Sequence, residues 1–104
     1  MPTETKTFWS PRAKQDLRDI WCWYAQIASP AIADRIFRDL ATAACSLIQN
    51  PDRGTKRTDL APSVRAVLNR PHIIYFRTAG TQAQIIRVLR ENRDPFPALP
   101  HVGT

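Results

Sequence analysis

Cysteine and histidine are scarce here, two of each among 104 residues. None stands at ligand spacing from another, which argues against a structural zinc site. The two cysteines do not read as a bridge either. Cys22 and Cys45 fall on two successive helical segments, described below, that turn back near Ser29. Cys45 then lies about nine positions, roughly 13 Å, from the residue level with Cys22, whereas a disulfide needs Cα atoms within about 7 Å. Both are expected as buried thiols. Long apolar runs are missing as well. No segment approaches the roughly 20 residues that span a bilayer, and the start "MPTETKTFWS" lacks the apolar stretch of a secretory signal. The expectation is a cytoplasmic protein with no membrane partner, no metal and no cofactor.

What is present describes a folded protein. An apolar fraction of 43% against 23% charged residues is that of an ordinary globular chain, and the length suits one domain over residues 1–104. The net charge of +6 is unevenly placed. Residues 1–50 carry six basic and five acidic side chains, and residues 51–104 carry nine and four. A basic C-terminal half suggests a polyanionic or acidic partner.

Residues 5–10, "TKTFWS", make a short strand candidate. Ser10 followed by Pro11 is an N-cap with proline at the first helical position. Ala13, Leu17, Ile20, Trp21, Tyr24 and Ile27 follow at spacings of three and four, which predicts a helix over 11–27. Ser29-Pro30 repeats the signal. Ala33, Ile36, Phe37, Leu40, Ala44, Leu47 and Ile48 then mark a second helix that ends near Asn50-Pro51. So short a connection makes an antiparallel hairpin. Trp21, Tyr24 and Phe37, on these stripes, are expected in the core.

Residues 51–63 are rich in Pro, Gly, Asp, Thr and basic side chains and read as a loop. Three strand candidates follow, Val64–Asn69, His72–Thr78 and Gln82–Arg90, with turns at Arg70-Pro71 and at 79–81. The order β-α-α-β-β-β predicts an α+β fold, an antiparallel sheet with the hairpin on one face. Strand alternation assigns Val64, Ala66, Leu68, Ile74, Phe76, Ile86 and Val88 to the helix side. It leaves Arg65, Val67, Asn69, Ile73, Tyr75, Arg77, Ile85, Arg87 and Leu89 on the other. Guanidinium groups among aliphatic residues suit a docking surface, because apolar area gives affinity while arginine forks hold carboxylates or phosphates.

The stretches "FWSPRAKQDLRDIWCWYA", "SPAIADRIFRDLATAACSLIQNPDRGTKRTDL", "VRAVLNRPHIIYFRT" and "IIRVLRENRDP" together resemble the ParE branch of the RelE/ParE toxin superfamily, often called plasmid stabilisation proteins. The likeness runs from Phe8 to about Leu99. It rests on a conjunction: an aspartate-bearing first helix ending in aromatics, the "NP…G" helix exit, an arginine early in the strand that follows, an aromatic-arginine strand ending, and "RVL…RD" at the close. The resemblance implies a helical hairpin on an antiparallel sheet. It also implies a bacterial toxin that forms a hetero-oligomer with a cognate antitoxin, whose acidic and apolar tail wraps it, and that meets operator DNA only through that antitoxin. Within the superfamily ParE-like members inhibit DNA gyrase and RelE-like members cleave messenger RNA on the ribosome. This chain departs from the pattern at His72 and Phe76, where tyrosines are common, and at Arg90, where histidine is usual.

An RNase of this kind needs an acid/base group set against cations. RelE-like enzymes close with an arginine followed shortly by tyrosine, or by a histidine-tyrosine pair. Here "RDPF" supplies Asp94 and Phe96. The expectation is therefore a gyrase-binding toxin with no catalytic residue, the alternatives being a RelE-like messenger RNA endonuclease and a non-toxic interaction protein of the same fold. The residues expected to hold antitoxin or target are Arg65, Tyr75, Arg77, Ile85, Arg87, Leu89, Arg90 and Arg93. Lys56 and Arg57 in the loop are expected at the rim.

Overall fold

The computed structural model describes residues 7–50, 53–79 and 82–91. Strand β1 (Thr7–Trp9) leads into helix α1 (Pro11–Ile27) and helix α2 (Pro30–Gln49). Strands β2 (Thr55–Lys56), β3 (Val64–Asn69), β4 (His72–Ala79) and β5 (Gln82–Arg90) follow. The fold class is the α+β one expected. Both helices start at the caps the sequence announces. Ser10 Oγ accepts from the Ala13 N–H at 3.0 Å, and Ser29 Oγ accepts from the Ile32 N–H at 3.2 Å, each followed by proline at the first turn.

The sheet runs β1-β5-β4-β3-β2. Its pairs are antiparallel except the first, since β1 lies parallel to β5 with Trp9 level with Ile85. That parallel edge was not expected, and neither was β2, which pairs with β3 from within the stretch read as loop. Among the described residues no helix is long and apolar enough to cross a membrane.

The core forms where the hairpin lies on the sheet. Ala13, Leu17, Leu40, Ala44 and Leu47 from the helices pack on Ile74, Phe76, Ala83, Ile85 and Val88, with Val67 at the margin. Small residues on both helices let the backbones approach. A second cluster occupies the other face: Val64, Tyr75, Ile86 and Leu89 with Leu60 and Ala61 of the preceding loop.

Several placements differ from the alternation read in sequence, for two reasons. In β3 it is Val67, level with Ile74, that packs toward the helices, while Val64 and Ala66 join the second cluster and Leu68 is 49% exposed. In β5 a bulge breaks the alternation: Ile85 pairs with Phe76 and Arg87 with Tyr75, leaving Ile86 unmatched. Ile85 is therefore in the helix-side core and Ile86 opposite it. Tyr75, Ile85, Arg87 and Leu89, expected on an open face, are all buried. The helical stripes need a smaller correction. Phe37 is 41% exposed. Trp21 is half-buried and its indole N–H donates to Asp34 across the hairpin at 2.8 Å, a polar link in place of core packing. Cys22 and Cys45 are free, as expected, and exposed, which was not.

Candidate functional site

A cleft of about 380 Å³ lies between α1 and β5. From α1, the spacing of three and four brings Arg12, Asp16, Asp19, Ile20, Trp23 and Tyr24 to one side of the helix. This stripe is turned slightly from the one that packs into the core. His72 and the β5 segment from Arg87 to Arg90 complete the walls.

At the inner end Asp16 meets Arg87. Arg87 Nε and Nη2 donate to the two carboxylate oxygens at 2.7 and 2.9 Å, and the Val88 N–H donates to Oδ2 at 3.0 Å. Both side chains are buried, so the pair is shielded from screening and each charge depends on the other. The bulge at Ile86 alters the alternation next to Arg87, whose guanidinium reaches helix α1.

At the outer end four groups meet. Arg90 is level with His72 on the neighbouring strand. Its guanidinium sits 4.8 Å over the Trp23 ring, a cation–π placement, and donates to the Tyr24 hydroxyl at 3.3 Å. Tyr24 meets His72 edge-on, with ring centroids 6.0 Å apart. His72 is 1% exposed, and its Nε2 has no hydrogen-bond partner among the described residues. Burial, with Arg90 beside it, pushes the imidazole below the usual histidine range, so it is held neutral. Trp23 is 45% exposed and makes an aromatic rim. A second cleft of about 440 Å³ lies between α2 and the β3–β4 turn and reaches the same His72 from its other side.

The sequence-expected residues divide among three places. Arg87, Leu89 and Arg90 line the α1–β5 cleft. Arg65 is half-buried and donates to the Gly54 carbonyl at 3.1 Å. Arg77 is half-buried, and Tyr75 lies in the second cluster. Nearby, Arg57 holds Asp59 with two bonds of 2.9 and 2.8 Å. The Asp59 hydrogen bond raises the Arg57 pKa, and the Asp59 carboxyl is held below its usual range by the same contact. Ile85 is in the helix-side core. Arg93 lies outside the described residues, as do Asp94 and Phe96. Sequence reasoning missed Asp16, Trp23 and Tyr24 as site residues. The signal available was the juxtaposed aromatics of "IWCWYA" at the end of an aspartate-bearing helix. Among the described residues no group of three metal-ligating side chains occurs.

Comparison with known proteins decides the family. The model described as "ParE toxin of type II toxin-antitoxin system, parDE" matches residues 7–95. The chain belongs to the ParE toxin family. Toxin ParE1 of Caulobacter vibrioides is 30% identical over 94 residues, covering 90% of this chain and 94% of that protein. A solved structure described as the chromosomal ParDE TA system from P. aeruginosa superposes with a TM-score of 0.72 at 30% identity, over 83% of this chain and 95% of that one. As a ParE-type toxin of a type II toxin-antitoxin system, the chain has an antitoxin as its implied partner, and the region matched includes both clefts and the Asp16–Arg87 pair.

Proposed function

We propose that this toxin acts by binding DNA gyrase and that a cognate antitoxin neutralises it by covering the α1–β5 cleft. The observation that carries the reading is the composition of that cleft. An exposed indole, a guanidinium stacked on it and aliphatic walls make a binding surface, in which apolar area supplies affinity and the cation orients an acidic partner. Such an inhibitor needs complementarity to its target and no chemistry of its own. The membership of the ParE family favours gyrase over the ribosome. Contact with operator DNA would come through the antitoxin. Arg77 and the Arg57–Asp59 pair, on the opposite side of the sheet, would meet a more extended part of either partner, while Arg65, level with Phe76 on the helix side, is taken up by the Gly54 carbonyl.

The test is expression of the chain in a bacterium with and without its antitoxin. The DNA damage response and messenger RNA integrity are followed, and purified gyrase is assayed for supercoiling. The expected result is growth arrest with a DNA damage response, intact transcripts and supercoiling inhibited by the purified chain. Transcript loss on ribosomes with supercoiling untouched overturns the gyrase reading in favour of messenger RNA cleavage. No growth effect at all leaves the non-toxic interaction protein.

A further inference from the structure

The geometry points to a single-carboxylate seat at the outer end of the α1–β5 cleft, where Arg90, above His72, holds one aspartate or glutamate of the antitoxin while an apolar neighbour of that residue packs on Ile20 and Trp23. The inference rests on the antitoxin reading above and deepens it by naming the chemistry of the contact.

Three observations support it. First, Arg90 has no carboxylate partner among the described residues. Its bonds go to the Tyr24 hydroxyl and the Trp23 ring, which are neutral, so they orient the guanidinium without satisfying its charge. Second, His72 is 1% exposed with Nε2 unpartnered among the described residues, and it lines this cleft. A buried polar atom left without a bond is costly in the free protein, and an incoming acceptor offers it one once the ring is protonated. Third, the charges lining the cleft select the ligand. Asp16 and Arg87 neutralise each other, which leaves Arg12 and Arg90 against Asp19. A balance of two cations to one anion fits one carboxylate with aliphatic company. A run of phosphates would bring several negative charges next to Asp19.

The seat carries its own pH dependence. The groups facing His72 are Tyr24 from α1, Arg90 from β5 and Asn69 from β3, with Asp39, Arg53 and Arg70 around the second cleft. In the free chain burial and Arg90 keep the ring neutral. A carboxylate on Arg90 offsets that repulsion and favours the imidazolium, so binding takes up a proton and tightens as the pH falls. A nearby anion that did not reach this end of the cleft would leave the imidazole titration unmoved.

The experiment is a double-mutant cycle between the full chain and its antitoxin, read by calorimetry at pH 6 and pH 8. Each antitoxin Asp or Glu is changed in turn to its amide, against the parent chain and Arg90→Gln, with His72→Asn as a third partner. The expected result is one acidic residue whose amide weakens binding to the parent about 10- to 100-fold, as a charge-assisted hydrogen bond implies, and has little further effect on Arg90→Gln. Binding should be tighter at pH 6 than at pH 8, and that difference should vanish in His72→Asn. Because the antitoxin variants leave the toxin's fold alone, instability of Arg90→Gln does not void the test; Arg90→Lys then takes its place. Binding in which no acidic residue couples to position 90 overturns the seat while the toxin-antitoxin reading stands. An unchanged chain that binds no antitoxin overturns that reading instead. In that case the free chain's His72 imidazole signal is titrated by NMR with sodium acetate, inorganic phosphate and sodium chloride. A shift with acetate beyond that with chloride supports the carboxylate seat. A response to phosphate alone, or to none of the three, overturns it.

Discussion

Asp16 on α1 and Arg87 on β5 stand 71 positions apart in the chain and meet in a buried two-pronged ion pair, with Nε–Oδ2 at 2.7 Å and Nη2–Oδ1 at 2.9 Å. Asp16 Oδ2 also accepts from the Val88 N–H. This one carboxylate therefore ties helix to strand through both side chain and backbone. Removing either partner strands a charge in the interior. Asp16→Ala or Arg87→Ala should each lower stability by about 3–5 kcal/mol, read as a fall in the urea midpoint. Replacing both together by leucine and methionine should cost much less than the sum of the single changes. Equal and additive losses would show the pair to be uncoupled.

Gly54 has a packing reason to lack a side chain. A Cβ built there would stand 2.8 and 2.9 Å from two atoms of the Phe76 ring and 3.0 Å from the Ala66 carbonyl oxygen. Phe76 is fully buried and has nowhere to retreat. Gly54→Ala should therefore destabilise by about 1–3 kcal/mol through overpacking, measured by thermal unfolding. The "NP…G" exit from α2 thus ends at a residue that lets the chain pass close to the sheet.

The two phenylalanines Phe37 and Phe76 provide a contrast. Phe37 lies 41% exposed on α2 and Phe76 is fully buried. Phe76→Ala should cost about 3–5 kcal/mol, whereas Phe37→Ala should stay within about 1 kcal/mol. If the exposed face of α2 is part of the partner surface, Phe37→Ala will show in binding and not in melting.

His72 should make the free chain acid-sensitive. Its folded pKa is depressed by burial and by Arg90, while in the unfolded chain it titrates near the ordinary value of about 6.5. Between those two values the unfolded state binds more protons, so stability is present above about pH 6.5 and is lost as the pH falls through the folded value. The parent's melting temperature should drop between pH 7.5 and 5.5, and His72→Asn should flatten that part of the profile. A variant that keeps the parent's slope would assign the acid sensitivity to other groups.

The bounds of both helices were legible because their starts are written in short-range chemistry, Ser10-Pro11 and Ser29-Pro30. Which way the strands face was not. Both sides of the sheet bury apolar residues, so in "VRAVLN" either parity offers a plausible inner row, and only the register with β4 chooses Val67. The bulge at Ile86 has no glycine or other marker in "QIIRVLR" and reverses the assignment of Ile85 and Ile86 at once. Asp16 looks like a solvated charge on a helix flank. Its burial depends on an arginine in the last strand, a long-range pairing that no local pattern contains. Arg90 was singled out, yet Tyr24 was not, since aromatics at helical spacing read first as core, and Trp23, off that stripe, was given no role.

Ser10 Oγ, besides capping α1, donates to the Ile86 carbonyl at 3.2 Å, and the Ser10 N–H donates to the Ile85 carbonyl at 2.9 Å. Together with the parallel pairing of β1 on β5, these bonds join the first described strand to the last described one. A ribosome delivers the N-terminal part first, so the opening strand waits for a partner made only after both helices and the three intervening strands. Until then the helices have no complete sheet on which to bury their apolar stripe. A prematurely terminated product lacking β5 would thus have neither the Asp16–Arg87 tie nor the α1–β5 cleft, leaving a fragment for proteases to clear. Topology thus couples the opening strand, the buried ion pair and the cleft to the synthesis of β5.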